Sequence, residues 1–92
     1  MEQATQPLDR SAREARVLLY GKPGCHLCDD AREVVRAVCT ELDVAWAEQD
    51  ISADEQLMRT YGEQIPVTFV DDAQHDFWRV DPQRLRAALT RR

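Results

Sequence analysis

The sequence has 92 residues, of which 43% are hydrophobic and 32% are charged, and its formal net charge is −5. This length predicts one domain with a modest core, and no apolar run approaches the roughly 18–20 residues that a membrane-spanning helix needs. The acidic balance argues against nucleic acid as the main partner, because neutralising phosphate groups requires a basic face.

The first half of the chain predicts a strand, a turn and a long helix. Residues 1–13 are polar and show no period, so we expect a flexible tail that precedes a single domain over 14–92. The apolar run over 17–20 predicts the first strand, and the turn residues over 21–24 end it. Apolar residues at three- and four-residue steps then predict an amphipathic helix over 26–42.

The second half predicts two further strands, a hairpin partner and two more helices. The predicted elements are a strand over 44–51, a short helix capped by Ser52 or Asp54 and ended by Gly62, a strand over 64–70, a turn over 71–74, a strand over 76–80 and a last helix capped by Asp81. Alternation of strand and helix implies parallel pairing with right-handed crossovers. The order β-α-β-α-β-β-α therefore predicts an α/β fold with a four-stranded mixed sheet flanked by three helices.

Aromatic side chains are more often part of a core than part of a site. We therefore expect the core to hold Trp46, Tyr61, Phe69, Phe77 and Trp78, and the alternative for Trp78 is a place at the border of an active-site groove. Cys39 lies beside inward-facing valines of the predicted helix, and we expect a small buried apolar side chain there.

The chain contains three cysteines, and its N-terminus is polar without an apolar leader. An odd number of cysteines does not describe a secreted scaffold held by disulfides. It suits a cytoplasmic protein with a dithiol and one spare thiol. A monomer is the expected state for an acidic chain of this size.

The segment Cys25-His26-Leu27-Cys28 begins where the first strand has ended and the helix starts. Two thiols at positions i and i+3 of a helix are close enough to form a disulfide. The helix N-terminus stabilises a thiolate, which predicts Cys25 as the nucleophile and the more buried Cys28 as the resolving thiol. A protonated His26 would favour the same thiolate, while the acidic pair that follows Cys28 opposes it.

Two other interpretations of this segment stay open at this point. A metal or iron–sulfur module would need further ligands, and Cys39, His26 and His75 are the candidates for a site of four. An interaction domain with little activity would keep the fold and lose the reactive thiol. We favour dithiol redox chemistry and predict no metal site, because the motif lies between a strand and a helix in a small chain.

A second feature is the pair Ile65-Pro66 at the start of a predicted strand. A proline in that position indicates an edge strand, a bulge or a cis peptide bond. Together with residues 18–28 (LLYGKPGCHLC), 65–67 (IPV) and 77–81 (FWRVD), it resembles the glutaredoxin-like proteins of the thioredoxin superfamily. The resemblance extends over about residues 15–92 in the same order of elements.

The resemblance implies a thioredoxin-like fold and a thiol–disulfide oxidoreductase. It implies that Pro66 is cis and lies against Cys25, and that the backbone of Ile65 bonds an extended thiol substrate. Lys22 matches the basic residue that meets a carboxylate of glutathione in glutaredoxins. We place His26 in the same substrate-binding set.

The sequence departs from glutaredoxins where the glutamyl end of glutathione binds. The glycine pair and the Ser/Thr-Asp of that site are missing, and residues 72–81 contain no glycine. We expect no bound cofactor, with glutathione or a thioredoxin-type reductant as co-substrate. The expected partner is a disulfide-containing protein or a glutathione adduct.

Overall fold

The structure of the protein is a computed structural model that describes residues 15–90. The predicted flexible tail at residues 1–13 lies outside the described residues. The described elements are β1 (Val17–Gly21), α1 (His26–Leu42), β2 (Trp46–Asp50), α2 (Glu55–Tyr61), β3 (Val67–Val70), β4 (Ala73–Phe77) and α3 (Pro82–Thr90). No helix within residues 15–90 has the length and apolar character needed to cross a membrane.

The four strands form one mixed sheet in the order β2-β1-β3-β4. Strand β1 pairs parallel with β2 and antiparallel with β3, and β3 pairs antiparallel with β4. This order and these directions confirm the predicted four-stranded mixed sheet with three helices.

The main core lies between one face of the sheet and the helices α1 and α3. Side chains alternate along a strand, so Val17 and Leu19 of β1 point to the same face, and both are fully buried. The helices meet them with residues at helical spacing, among them Val35 of α1 and Leu85 of α3. Cys39 belongs to this core and is 1% exposed, as expected.

On the opposite face of β1, Tyr20 meets Tyr61 of α2 and Phe69 of β3. The three ring centroids lie 5.0–5.6 Å apart in edge or tilted contacts. Helix α2 begins at Asp54, whose carboxylate accepts a hydrogen bond from the backbone N–H of Leu57 at 3.0 Å. Of the two predicted caps, the structure therefore uses Asp54.

The hairpin between β3 and β4 is tighter than predicted. The predicted turn over 71–74 is only Asp71 and Asp72, so β4 runs over Ala73–Phe77 and not over 76–80. Both aspartates have positive φ, at 50° and 72°, which is the backbone that a two-residue hairpin loop requires. Aspartate tolerates this conformation, which lets the two residues form the whole loop.

Two aromatic residues were wrongly expected in the core. Phe77 is 47% exposed and Trp78 is 51% exposed. Phe77 is the last residue of β4, an edge strand of the sheet, and Trp78 follows it. Trp46, Tyr61 and Phe69 are half-buried.

Candidate active site

The turn after β1 places Cys25 at the start of α1. Gly24 adopts φ 73°, a conformation that glycine takes without strain, and Cys25 follows in an extended conformation as the N-cap. The Sγ of Cys25 accepts a hydrogen bond from the backbone N–H of Cys28 at 3.1 Å. The thiol thus occupies the position that a serine or aspartate oxygen takes in ordinary caps, at the positive end of the helix dipole. Because Cys25 is also partly exposed, a substrate can reach its sulfur.

Cys28 lies one turn inside the helix and is 1% exposed. Burial raises the pKa of this thiol to about 11, and the neighbouring Cys25 and the Glu48 carboxylate act in the same direction. At neutral pH it is therefore a protonated thiol. Both cysteines are free, so the site pairs an accessible sulfur with a buried one.

The Ile65-Pro66 pair is brought to the same end of the sheet. The peptide bond between the two residues is cis, as the resemblance implied. Ile65 is 7% exposed and forms a small apolar cluster with Cys28 and Ile51, against which Cys25 packs. The two motifs that are 40 positions apart in the sequence thus meet in one cluster. The direct contact of Pro66 with Cys25 stays a prediction.

An ion pair that the sequence analysis missed lies beside Cys28. The guanidinium of Arg32 donates to both carboxylate oxygens of Glu48, at 2.7 and 2.8 Å, and to Asp29 at 2.9 Å. Gly21 leaves room between this pair and the thiol, because a Cβ there would lie 3.2 Å from the Sγ of Cys28 and 3.9 Å from Glu48. Arg32 and Glu48 are 16 positions apart and on different elements, so no local pattern could have revealed the contact.

Replacing Glu48 with glutamine should lower the pKa of Cys28, because the carboxylate disfavours the thiolate and its removal also frees the positive charge of Arg32. The measurement is thiolate absorbance against pH in a Cys25→Ser/Cys39→Ala background, where Cys28 is the one remaining cysteine of the chain. The matched control is Glu41→Gln, which breaks a two-bond ion pair with Arg86 elsewhere on the surface. A Cys28 pKa that stays the same or rises in Glu48→Gln would refute the assigned cause.

Lys22 and His26, the two polar residues of the predicted substrate-binding set, are both exposed. Neither forms an ion pair within residues 15–90. Lys22 lines an open cavity of about 200 Å³ together with Gly21, Pro23, Arg32, Glu48 and Asp50. The structure thus leaves both side chains available on the surface around Cys25, and their roles stay predictions.

The metal interpretation gains no support from the described part of the chain. Within residues 15–90, no three His, Cys, Asp or Glu side chains come together as a set that could hold a metal ion. Cys39, which the alternative would have used, belongs to the main core, whereas Cys25 and Cys28 belong to the smaller cluster.

The two buried thiols make the stability of the reduced protein depend on pH. Burial raises the pKa of both Cys28 and Cys39 from 9.0 to about 11. The folded state favours the neutral thiols, so their contribution is complete below pH 9 and is lost as the pH rises towards 11. We expect the free energy of unfolding to fall over this range by on the order of 2–3 kcal/mol per thiol.

Urea unfolding at pH 8 and at pH 10.5 measures this loss. The Cys39→Ala variant should lose about 2 kcal/mol less free energy than the wild type between the two conditions, because the contribution of Cys39 is absent. Equal losses in the two proteins would contradict the assignment to Cys39. Because other groups titrate equally in both proteins, their effects cancel in the comparison.

Known proteins provide an independent comparison. Residues 16–90 match the family described as Glutaredoxin-like domain (DUF836). Uncharacterized proteins of Mycobacterium tuberculosis and Mycobacterium bovis are each 31% identical over 81 residues, which is 83% of this chain and 84% of each relative.

Solved structures show the same fold. The X-ray structure of a structural genomics target protein from X. campestris is 33% identical, with a TM-score of 0.67 over 79% of this chain and 93% of that chain. The solution structure of protein Ne2328 from Nitrosomonas europaea is 25% identical, with a TM-score of 0.68 over 95% of this chain and 96% of that chain. Thioredoxin from Fasciola hepatica, at 20% identity, has a TM-score of 0.57 over 91% of this chain and 86% of that chain, and this likeness concerns the fold alone.

Proposed function

We propose that this chain, which belongs to the glutaredoxin-like domain family, is a thiol–disulfide oxidoreductase. The observation that carries the proposal is the arrangement of the two thiols at the start of α1. Cys25 is partly exposed and accepts a backbone hydrogen bond, and Cys28 is buried one turn below it. This is the arrangement that a nucleophile and a resolving thiol require.

In the first step, the sulfur of Cys25 attacks one sulfur of a substrate disulfide. A bond forms between Cys25 and that sulfur, and the other substrate sulfur leaves as a thiolate that takes up a proton from solvent. The backbone N–H of Cys28 donates to the Sγ of Cys25 at 3.1 Å, so it stabilises negative charge on the attacking sulfur.

In the second step, Cys28 loses its proton and attacks the sulfur of Cys25. The Cys25–Cys28 disulfide forms, and the second substrate thiolate leaves and is protonated. The substrate has then gained two electrons and two protons. A thiol reductant returns the pair to the dithiol, and we propose either glutathione or a thioredoxin-type protein for this role.

The substrate is proposed to approach along the segment that contains Ile65 and Pro66. This segment shares an apolar cluster with both cysteines, and the backbone of Ile65 would pair with an extended substrate chain. Lys22 and His26 are exposed near the same sulfur and would contact polar groups of the substrate. A reducing compartment such as the cytoplasm suits this chemistry, since the dithiol must be regenerated.

Reduction of insulin in the presence of excess dithiothreitol tests the proposal. The protein should accelerate precipitation of the insulin B chain well above the rate with dithiothreitol alone. Precipitation at the rate of the reductant alone, at protein concentrations equal to that of insulin, would favour an interaction domain that keeps the fold without the activity.

A further inference from the structure

Trp78 has a backbone conformation that a bulky residue rarely adopts. Its φ is 64°, and the N–H of Arg79 donates to the carbonyl of Phe77 at 2.8 Å, which closes a three-residue γ-turn around it. A glycine would hold this turn without strain. Because the indole is 51% exposed, its burial does not explain why a tryptophan stands there.

Trp78 is hydrogen-bonded to the segment that contains Glu63, Gln64 and Pro66. Its backbone N–H donates to the carbonyl of Pro66 at 2.8 Å and to that of Gln64 at 3.2 Å. Its indole Nε1–H donates to the carbonyl of Glu63 at 2.9 Å. Both the backbone and the ring are therefore held in place relative to the proposed substrate-binding segment.

A cavity of about 180 Å³ separates this indole from α1. Its apolar wall includes Trp78 and Val80 on one side, and Leu27 and Val34 of α1 on the other. Pockets that enclose a whole small ligand measure roughly 300–1,000 Å³, so this cavity has the size for one large side chain. The Leu27 wall belongs to the segment between the two cysteines, and the Trp78 wall is hydrogen-bonded to the carbonyl of Pro66, so the cavity borders both segments of the proposed site.

The rim of the cavity carries one free charge of each sign around an apolar wall. Arg79 and Asp30 both line the cavity, and neither forms an ion pair within residues 15–90. Five other arginines in this part of the chain are paired: Arg16, Arg32, Arg36, Arg84 and Arg86. The charged rim suits the polar groups that flank an apolar residue in a polypeptide, and the apolar wall suits that residue itself, whereas glutathione has no large apolar side chain to fill the cavity.

We propose that Trp78 determines substrate specificity: with Leu27 it forms a pocket for a large apolar side chain next to the reacting half-cystine of a polypeptide substrate. This inference rests on the proposed oxidoreductase function and narrows its substrate class to protein disulfides. The backbone strain at Trp78 is then retained for binding, as strain at functional sites often is.

The test compares two peptides with the same intramolecular disulfide, one with leucine and one with alanine beside the reacting cysteine. The wild type should reduce the leucine peptide with a kcat/KM at least about 10-fold higher, the discrimination that one apolar pocket provides. Trp78→Gly should lower the kcat/KM for the leucine peptide to the value for the alanine peptide, so that the preference disappears. Hydroxyethyl disulfide, which has no side chain for the pocket, reports the reaction of the thiol pair itself in each variant. Glycine relieves the strain of the turn but removes the indole hydrogen bond to Glu63, so urea unfolding of Trp78→Gly is measured first and the peptides are compared on the folded variant.

Asp72→Gly is the matched control, because it also replaces an exposed residue of positive φ, at 72°, but in the β3–β4 turn. It should keep the full leucine preference. Trp78→Asn repeats the test with a second variant, because asparagine tolerates positive φ and lacks the indole ring.

Four outcomes overturn the inference while leaving the proposed function intact. The first is an active wild type without a preference for the leucine peptide, and the second is a leucine preference that persists in Trp78→Gly and Trp78→Asn. The third is a loss of the leucine preference in Asp72→Gly as well, and the fourth is an equal slowing of all substrates in the Trp78 variants. A wild type that reduces none of the three substrates would refute the proposed function itself.

Discussion

The Cys25→Ser variant should reduce no disulfide faster than the reductant alone. Cys25 supplies the only partly exposed sulfur among the three cysteines, since Cys28 and Cys39 are each 1% exposed. A serine hydroxyl can take the same N-cap position, so the helix should still begin there. It is a far weaker nucleophile than a thiolate and cannot form a disulfide. We expect the rate of insulin reduction to fall on the order of 10³-fold or more.

The matched control is Cys39→Ala, which also removes one thiol and leaves the site untouched. Cys39 packs in the main core, in a different cluster from Cys25, so this variant should keep activity close to that of the wild type at pH 7. Activity that survives Cys25→Ser, or that disappears in Cys39→Ala while the protein stays folded, would contradict the assignment of the nucleophile.

The Cys28→Ser variant should stop after the first step and accumulate a mixed disulfide with its substrate. Cys28 is the thiol whose backbone N–H bonds the Sγ of Cys25, so it lies next to the sulfur that it must attack. Without it, release of the substrate depends on an external thiol. Non-reducing electrophoresis should show a covalent complex between the variant and a peptide disulfide substrate, and a reducing agent should cleave this complex.

The same experiment on the wild type and on the double variant Cys25→Ser/Cys28→Ser provides the comparison. Neither should form a lasting complex, because the wild type resolves it and the double variant never forms it. If Cys28→Ser releases substrate as fast as the wild type, Cys28 is not the resolving thiol and the two-step mechanism fails.

The elements near the site were predictable because local patterns determine them. Helix α1 runs over His26–Leu42 as predicted, since its apolar stripe and its N-cap are encoded in consecutive residues. Helix α3 and its N-cap were also predictable from consecutive residues. The carboxylate of Asp81 accepts hydrogen bonds from the backbone N–H groups of Gln83 and Arg84, at 2.8 and 3.3 Å.

The hairpin and its aromatic residues were mispredicted because they depend on unusual backbone conformations. Asp71, Asp72 and Trp78 all have positive φ without being glycine; aspartate is compatible with several turn lengths, and tryptophan is not a turn residue. A two-residue loop starts β4 three positions earlier than expected and leaves Phe77 and Trp78 at an exposed strand end. The contact of Arg32 with Glu48 was also beyond prediction, because it depends on how α1 crosses the sheet.

The most direct test of the account is a redox titration of the wild-type protein against defined ratios of reduced and oxidised glutathione, with alkylation of free thiols and intact-mass detection. We predict a single two-electron transition in which Cys25 and Cys28 are oxidised together to an intramolecular disulfide. Peptide mapping should find Cys39 alkylated as a thiol after unfolding at every ratio. A protein that shows no such transition, or that oxidises only to a stable glutathione adduct on Cys25, would contradict the claim that the two sulfurs act as a pair.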